Sequence, residues 1–200
     1  EIGARGTHGS LDWNLTTYHA KWQQEILRLA DASGQPRGAV NANETIHEGI
    51  ETSLRWRVLD DDHKVSISVT SMLSHFHFDQ DPVYGNNRLA GAPPHTGNAE
   101  LLYKHPNGFF AALETTWVAG RVPVDHANRL FYDGSTLGHI RLGWRSASRW
   151  LVYATVRNVF DQQHIASTAG VLDLARNPAA TTIFLPGVGR GFTLGFELKL

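Results

Sequence analysis

Gly191-Phe192-Thr193-Leu194-Gly195-Phe196-Glu197-Leu198-Lys199-Leu200 sets how the rest of the chain is read. Phe192, Leu194, Phe196, Leu198 and Leu200 fall on one face; Gly191, Thr193, Gly195, Glu197 and Lys199 fall on the other. A period of two held this long is a β-strand, because successive side chains point to opposite sides of a pleated backbone. Its length matches the roughly 9–11 residues that a tilted strand needs to cross a bilayer. An apolar row backed by a small-and-charged row is the pattern of a membrane barrel strand. The edge of a soluble sandwich carries the same signature, so recurrence along the chain has to decide.

The pattern does recur. Leu11, Trp13 and Leu15 alternate with Asp12, Asn14 and Thr16 in a strand expected to run to about Ile26, where residues 23–30 also admit a helical turn. Ile50, Thr52, Leu54, Trp56 and Val58 oppose Glu51, Ser53, Arg55 and Arg57. Val65, Ile67 and Val69 oppose Ser66, Ser68 and Thr70, running out through His75-Phe76-His77-Phe78. Ala99, Leu101 and Tyr103 oppose Glu100, Leu102 and Lys104; Phe109, Ala111, Leu113, Thr115 and Trp117 oppose Ala112, Glu114 and Thr116. Ile140, Leu142 and Trp144 oppose His139, Arg141 and Arg145. Trp150, Val152, Ala154 and Val156 oppose Tyr153, Thr155 and Arg157, in a strand expected to continue toward Ala169.

Counting Ile2-Gly3-Ala4-Arg5, this gives about nine strands, and their connections alternate in length. Tight turns are expected near residues 7–10, 60–63, 106–108 and 146–148, and long loops near 31–44, 79–96, 121–135 and 170–190. Short turns on one rim and long loops on the other belong to outer-membrane barrels, whose short turns are periplasmic. A sandwich gives no reason for every second connection to be long. Trp13, Trp56, Trp144 and Trp150 lie near the short turns, where an interfacial aromatic girdle belongs.

Composition narrows the function classes. A net charge of −1 with no basic run gives nucleic acid no footprint. With no cysteine there is neither a disulfide framework nor a thiolate metal site. The chain opens in mid-pattern at Glu1-Ile2-Gly3, so it is expected to be a piece of a longer protein.

Val156-Arg157-Asn158-Val159-Phe160-Asp161, then Pro186-Gly187-Val188-Gly189-Arg190, then the alternating final strand, resemble the C-terminus of TonB-dependent outer-membrane receptors. Asn43 with Gly49-Ile50-Glu51, and Pro94-His95-Thr96 with Asn98-Ala99, are similar to that family's barrel as well. Leu200 departs from it, since the family usually ends in an aromatic residue. The resemblance implies an all-β chain forming the last part of a 22-stranded antiparallel transmembrane β-barrel. It further implies an N-terminal plug domain and TonB-contacting segment outside this chain, and a place in the outer membrane of a Gram-negative cell. The implied partners are lipid, TonB through the plug, and a scarce small ligand, foremost a ferric siderophore.

Two loop clusters are candidate ligand contacts: His75, His77, Asp79 and Tyr84, and Asp125, His126, Arg129 and Tyr132. Arg and Tyr there suit an anionic complex through charge-assisted hydrogen bonds. His75 and His77, at i and i+2, share a face and suit a transition metal. No third ligand is identifiable, so no metal site and no cofactor are assigned. Without a Gly-x-Ser-x-Gly elbow, a His-Glu-x-x-His motif or a phosphate loop, no catalytic residues are assigned either. The alternatives are a soluble β-sandwich for binding or adhesion, and an outer-membrane barrel enzyme.

Overall fold

The computed structural model describes residues 1–30, 36–146, 149–168 and 184–198. Every regular element among them is a strand: β1 (Ile2–His8), β2 (Leu11–Gln23), β3 (Ile26–Ala30), β4 (Pro36–Asn41), β5 (Glu44–Asp60), β6 (Lys64–Phe78), β7 (His95–Lys104), β8 (Phe109–Pro123), β9 (Phe131–Arg145), β10 (Trp150–Arg157), β11 (Ile165–Thr168), β12 (Phe184–Pro186) and β13 (Gly191–Leu198). Nine form one antiparallel sheet in the order β1-β2-β5-β6-β7-β8-β9-β10-β13. Each pairs with its neighbour along the chain once the ribbons β3–β4 and β11–β12 are set aside. A sandwich needs two packed sheets; this is one continuous meander with β1 and β13 as its edges.

Register sorts the side chains into two faces. One cross-strand row reads Leu101, Leu113, Ile140, Val156, Phe192, and the next Ala111, Leu142, Ala154, Leu194. Leu54, Trp56, Leu73, Leu142 and Leu194 on this face stay exposed, the arrangement expected of a wall bathed in lipid. The opposite face carries Arg55, Glu100, Glu114 and Arg141 with small residues between them. Some of these are glycines beneath aromatic rings. A Cβ on Gly195 would lie 2.2 Å from the Tyr153 ring.

The short turns close as the sequence reading expects. Gly108 has φ +93°, and a Cβ there would meet the Arg145 carbonyl oxygen, so this position admits only glycine. Asn107 Oδ1 accepts the Phe109 N–H at 2.9 Å. Trp144 donates its indole N–H to the Asn107 carbonyl at 2.8 Å, and Trp56 donates its own to Ser10 Oγ at 3.2 Å. The tryptophans thus pin the strand ends to the turns as well as marking the interface. Residues 147 and 148 of the fourth turn, and Lys199 and Leu200, lie outside the described residues.

On the other rim, three expectations need correcting. β2 stops at Gln23, because Gln24 turns to φ +58°, and the chain continues as the β3–β4 ribbon instead of a long polar loop or a helical turn. The loop expected over 121–135 shrinks to residues 124–130, since a bulge between Val118 and Arg121 lets pairing resume through Pro123↔Phe131. β10 ends at Arg157 and does not run on toward Ala169, because Asn158 and Asp161 both take positive φ. Asn and Asp tolerate that conformation better than other side-chain-bearing residues.

Candidate functional site

The connections on the long-loop rim fold into a cap. Phe78, fully buried at the end of β6, stacks on Tyr84 with centroids 5.0 Å apart and meets the His126 ring edge-on at 5.0 Å. Ala42 and Leu89 complete this small core, with Leu27, Phe76 and Ala92 packed against it. Hydrogen bonds join the β6–β7 and β8–β9 connections: Asn87 Nδ2 donates to the His126 carbonyl at 2.9 Å, and Asn128 exchanges bonds with the Arg88 backbone at 2.8 Å each way. Arg88 Nη1 reaches the Arg121 carbonyl at 3.0 Å. Burial lowers the Arg88 pKa from its ordinary value.

The candidate residues therefore divide three ways. Tyr84, Asp125 and His126 are buried in the cap. Asp125 Oδ1 accepts the backbone N–H groups of Arg129 and Leu130 at 2.9 and 3.3 Å, which shapes the tight β8–β9 connection. Arg129 is exposed on that connection. Tyr132 is half-buried against the edge of Phe184, and burial raises its phenol pKa.

His75, His77 and Asp79 go elsewhere. They continue the β6 row of Ile67, Val69 and Leu73, and so lie on the outer wall above the last apolar row, Thr17–Ile50–Leu73. Ionic groups take over there. Lys21 pairs with Glu44 and Asp79, both at 2.7 Å, which raises its pKa. Glu48 accepts from His19 at 3.0 Å and from His75 at 3.2 Å, and these bonds hold its carboxyl below the usual range. The His75 and His77 rings stack at 4.4 Å. Glu48, His75 and His77 each present a ligand atom within 4.8 Å of the others.

The inner wall is polar and internally paired. Arg57 binds Asp12, which also accepts from Thr7 at 2.8 Å. Arg141 binds Glu100 at 3.2 Å. The two C-terminal motifs close on each other. Asn158 Nδ2 donates to the Gln162 and Val188 carbonyls at 2.9 and 3.4 Å, and Asp161 Oδ1 accepts the Arg190 N–H at 2.7 Å. The motif is thus a clasp that lets β10 stop and aims the returning chain into β13.

A family model described as "TonB dependent receptor-like, beta-barrel" matches residues 1–159. The chain belongs to this family. Among solved structures it is similar to the ferric yersiniabactin uptake receptor FyuA from Yersinia pestis, with TM-score 0.74 and 16% identity over 98% of this chain and 28% of that one. It is similar to the ferric citrate transporter FecA in its unliganded form, with TM-score 0.75 and 18% identity over 98% of this chain and 30% of that one. The copper transporter OprC gives TM-score 0.74 and 15% identity, again over 98% of this chain and 30% of that one. At such identities the likeness carries the fold, and the chain spans under a third of each relative. This portion of a TonB-dependent receptor barrel lies in the outer membrane.

Within the receptor barrel, sequence reasoning missed Glu48 as a neighbour of His75. The sequence reading sets His75 and His77 in a loop cluster, whereas the alternation of β6 carries them on in the row of Leu73, a signal that outranks their nearness to a loop. The bulge near Val58 hid the rest: Asp60 faces Lys64, but Arg57 faces Ser66, so the register slips by one before Glu48 meets His75.

Proposed function

We propose that this chain supplies the C-terminal barrel wall and part of the extracellular cap of an active-transport receptor for a scarce ligand, a ferric siderophore. A plug domain outside these residues would release the ligand inward when TonB couples it to the proton-motive force. The observation that carries this reading is the cap. Buried groups join two connections, and Arg129 stays exposed on one of them, with Tyr132 following at the start of β9; a cation and a phenol on that rim suit an anionic complex through charge-assisted hydrogen bonds. Tyr84, Asp125 and His126 would hold the rim without touching ligand. Such a receptor does no covalent chemistry; its specificity would lie in the loop side chains.

The test is uptake of radioiron-loaded siderophores by iron-starved cells whose own receptor gene has been deleted and replaced by the full-length gene. Uptake that is abolished by a protonophore or by loss of TonB is expected for one siderophore class. Iron entry independent of TonB, or no uptake from any ferric complex, would contradict the proposal.

A further inference from the structure

We propose that Glu48, His75 and His77 form a divalent transition-metal site, for zinc or copper(II), on the outer wall of the barrel and away from the lumen. Strand register brings these groups together. β5 and β6 pair Glu48 with His75 and Ile46 with His77, while β2 brings His19 opposite Glu48. All four functional groups share the face of Ile50 and Leu73, one step above the lipid band. The two imidazoles stack with their centroids 4.4 Å apart and their planes 21° from parallel.

Donor type selects the ion. Calcium and magnesium call for six or more oxygen ligands. Two imidazoles and one carboxylate suit zinc or copper(II), with water completing the shell. The donor atoms lie within 4.8 Å of one another, and bond lengths of about 2.0–2.2 Å to a shared zinc require only short side-chain swings to close. Among the described residues His77 Nδ1, an atom shut off from solvent on a partly buried side chain, has no hydrogen-bond partner, which is a second, independent indication. Such an atom is destabilising unless something binds it. Coordination also replaces the 3.2 Å contact between His75 and Glu48 with two bonds to one ion. His19, at 3.0 Å from the other carboxylate oxygen, is the positioning residue that keeps Glu48 turned toward the site. Because the site joins β5 to β6 through side chains and reaches β2 through His19, an ion there would clamp three adjacent strands where the wall leaves the membrane.

The experiment uses the full-length receptor in detergent, titrated with zinc alone against a chromophoric chelator, and with copper(II) for electron paramagnetic resonance. Wild type is expected to take one zinc with micromolar or better affinity and to give a copper signal with two nitrogen ligands. The double variant H75A/H77A should lose that affinity at least 100-fold together with the two-nitrogen signal. H77Q, which preserves size and polarity, guards against misfolding and should lose at least tenfold. H19A should lose about tenfold, the low end for an outer-shell partner, while keeping the two-nitrogen signal. His95→Ala, on the same face but outside the cluster, should bind as wild type does. A wild-type receptor that binds no zinc at 10 μM (roughly the level a working site would fill), or an H77Q variant with wild-type affinity and copper signal, overturns the proposal. Ferric-ligand uptake should be unchanged in H77Q, so loss of the metal site and failure of the transport reading give different results.

Discussion

Replacing Leu113 with arginine places a cation on the wall near the middle of the membrane. Leu113 is 53% exposed and faces Leu101 and Ile140 across β7 and β9. Phe109, four residues nearer the short turn, pairs with the girdle residue Trp144. Four residues at about 3.4 Å each, in a strand tilted by about 40°, raise Leu113 about 10 Å above the girdle. The apolar band is about 25 Å tall, so Leu113 sits close to its midplane. Arginine at the midplane costs about 2–4 kcal/mol and near the interface about 0–1. Measured against alanine at the same site, Leu113→Arg should therefore shift the folding equilibrium by about 30- to 700-fold, and Phe109→Arg by well under tenfold. The assay is denaturant-dependent folding of the full-length receptor into phospholipid vesicles, followed by tryptophan fluorescence. Equal penalties at both sites, or a smaller one at Leu113, would refute the placement of this face in lipid.

Other expectations follow from the same geometry. Arg141→Leu removes the partner of Glu100 on the wet inner wall; it should cost no more than about 1 kcal/mol in the vesicle assay. Gly108→Ala forces φ +93° on a side chain aimed at the Arg145 carbonyl and should cost about 1–3 kcal/mol; a neutral result would mean the turn is built otherwise. Asn158→Ala leaves the Gln162 and Val188 carbonyls without their shared donor; a loss of about 1–3 kcal/mol is expected, with faster proteolysis near Arg190. Arg129→Ala with Tyr132→Phe should lower ligand affinity in the uptake assay, and unchanged affinity would move recognition to other parts of the receptor. Expressed alone, the 200 residues should aggregate, because β1 and β13 keep open edges; a monodisperse soluble monomer would remove the barrel reading.

What the sequence made legible was whatever depends on local periodicity. Alternation along β5 through β10 assigned Leu54, Ile140 and Leu142 to one face and Arg55 and Arg141 to the other, and the ladder agrees. Pro106-Asn107-Gly108 announced its turn through backbone chemistry. What stayed hidden depends on long-range packing or on one inserted residue. Asp125 and His126 look like polar loop residues, but the cap buries them, and no local pattern tells a buried connection from a solvated one. The bulges near Val58 and between Val118 and Arg121 shift the register by one; the first has no sequence mark, and the second has only Gly120, at φ +82°. The first sets Glu48 beside His75, and the second shortens an apparent long loop. Asn158-Val159-Phe160-Asp161 was legible as a motif, but its role as a clasp emerged only when Arg190 and Val188 were seen to close on it.

Whether this wall faces lipid on one side and water on the other is measured most directly by a spin-label scan of β8. The chain contains no cysteine, so single cysteines can be introduced one at a time from Phe109 to Trp117 in the full-length receptor in bilayers, with any cysteine elsewhere in it removed. Collisions with oxygen, which concentrates in lipid, and with a water-soluble nickel chelate are then compared at each position. A receptor wall predicts strict alternation, with oxygen favoured at Phe109, Ala111, Leu113, Thr115 and Trp117, and reduced at Phe110, Ala112, Glu114 and Thr116. A scan with no period of two, or one in the opposite phase, would contradict it.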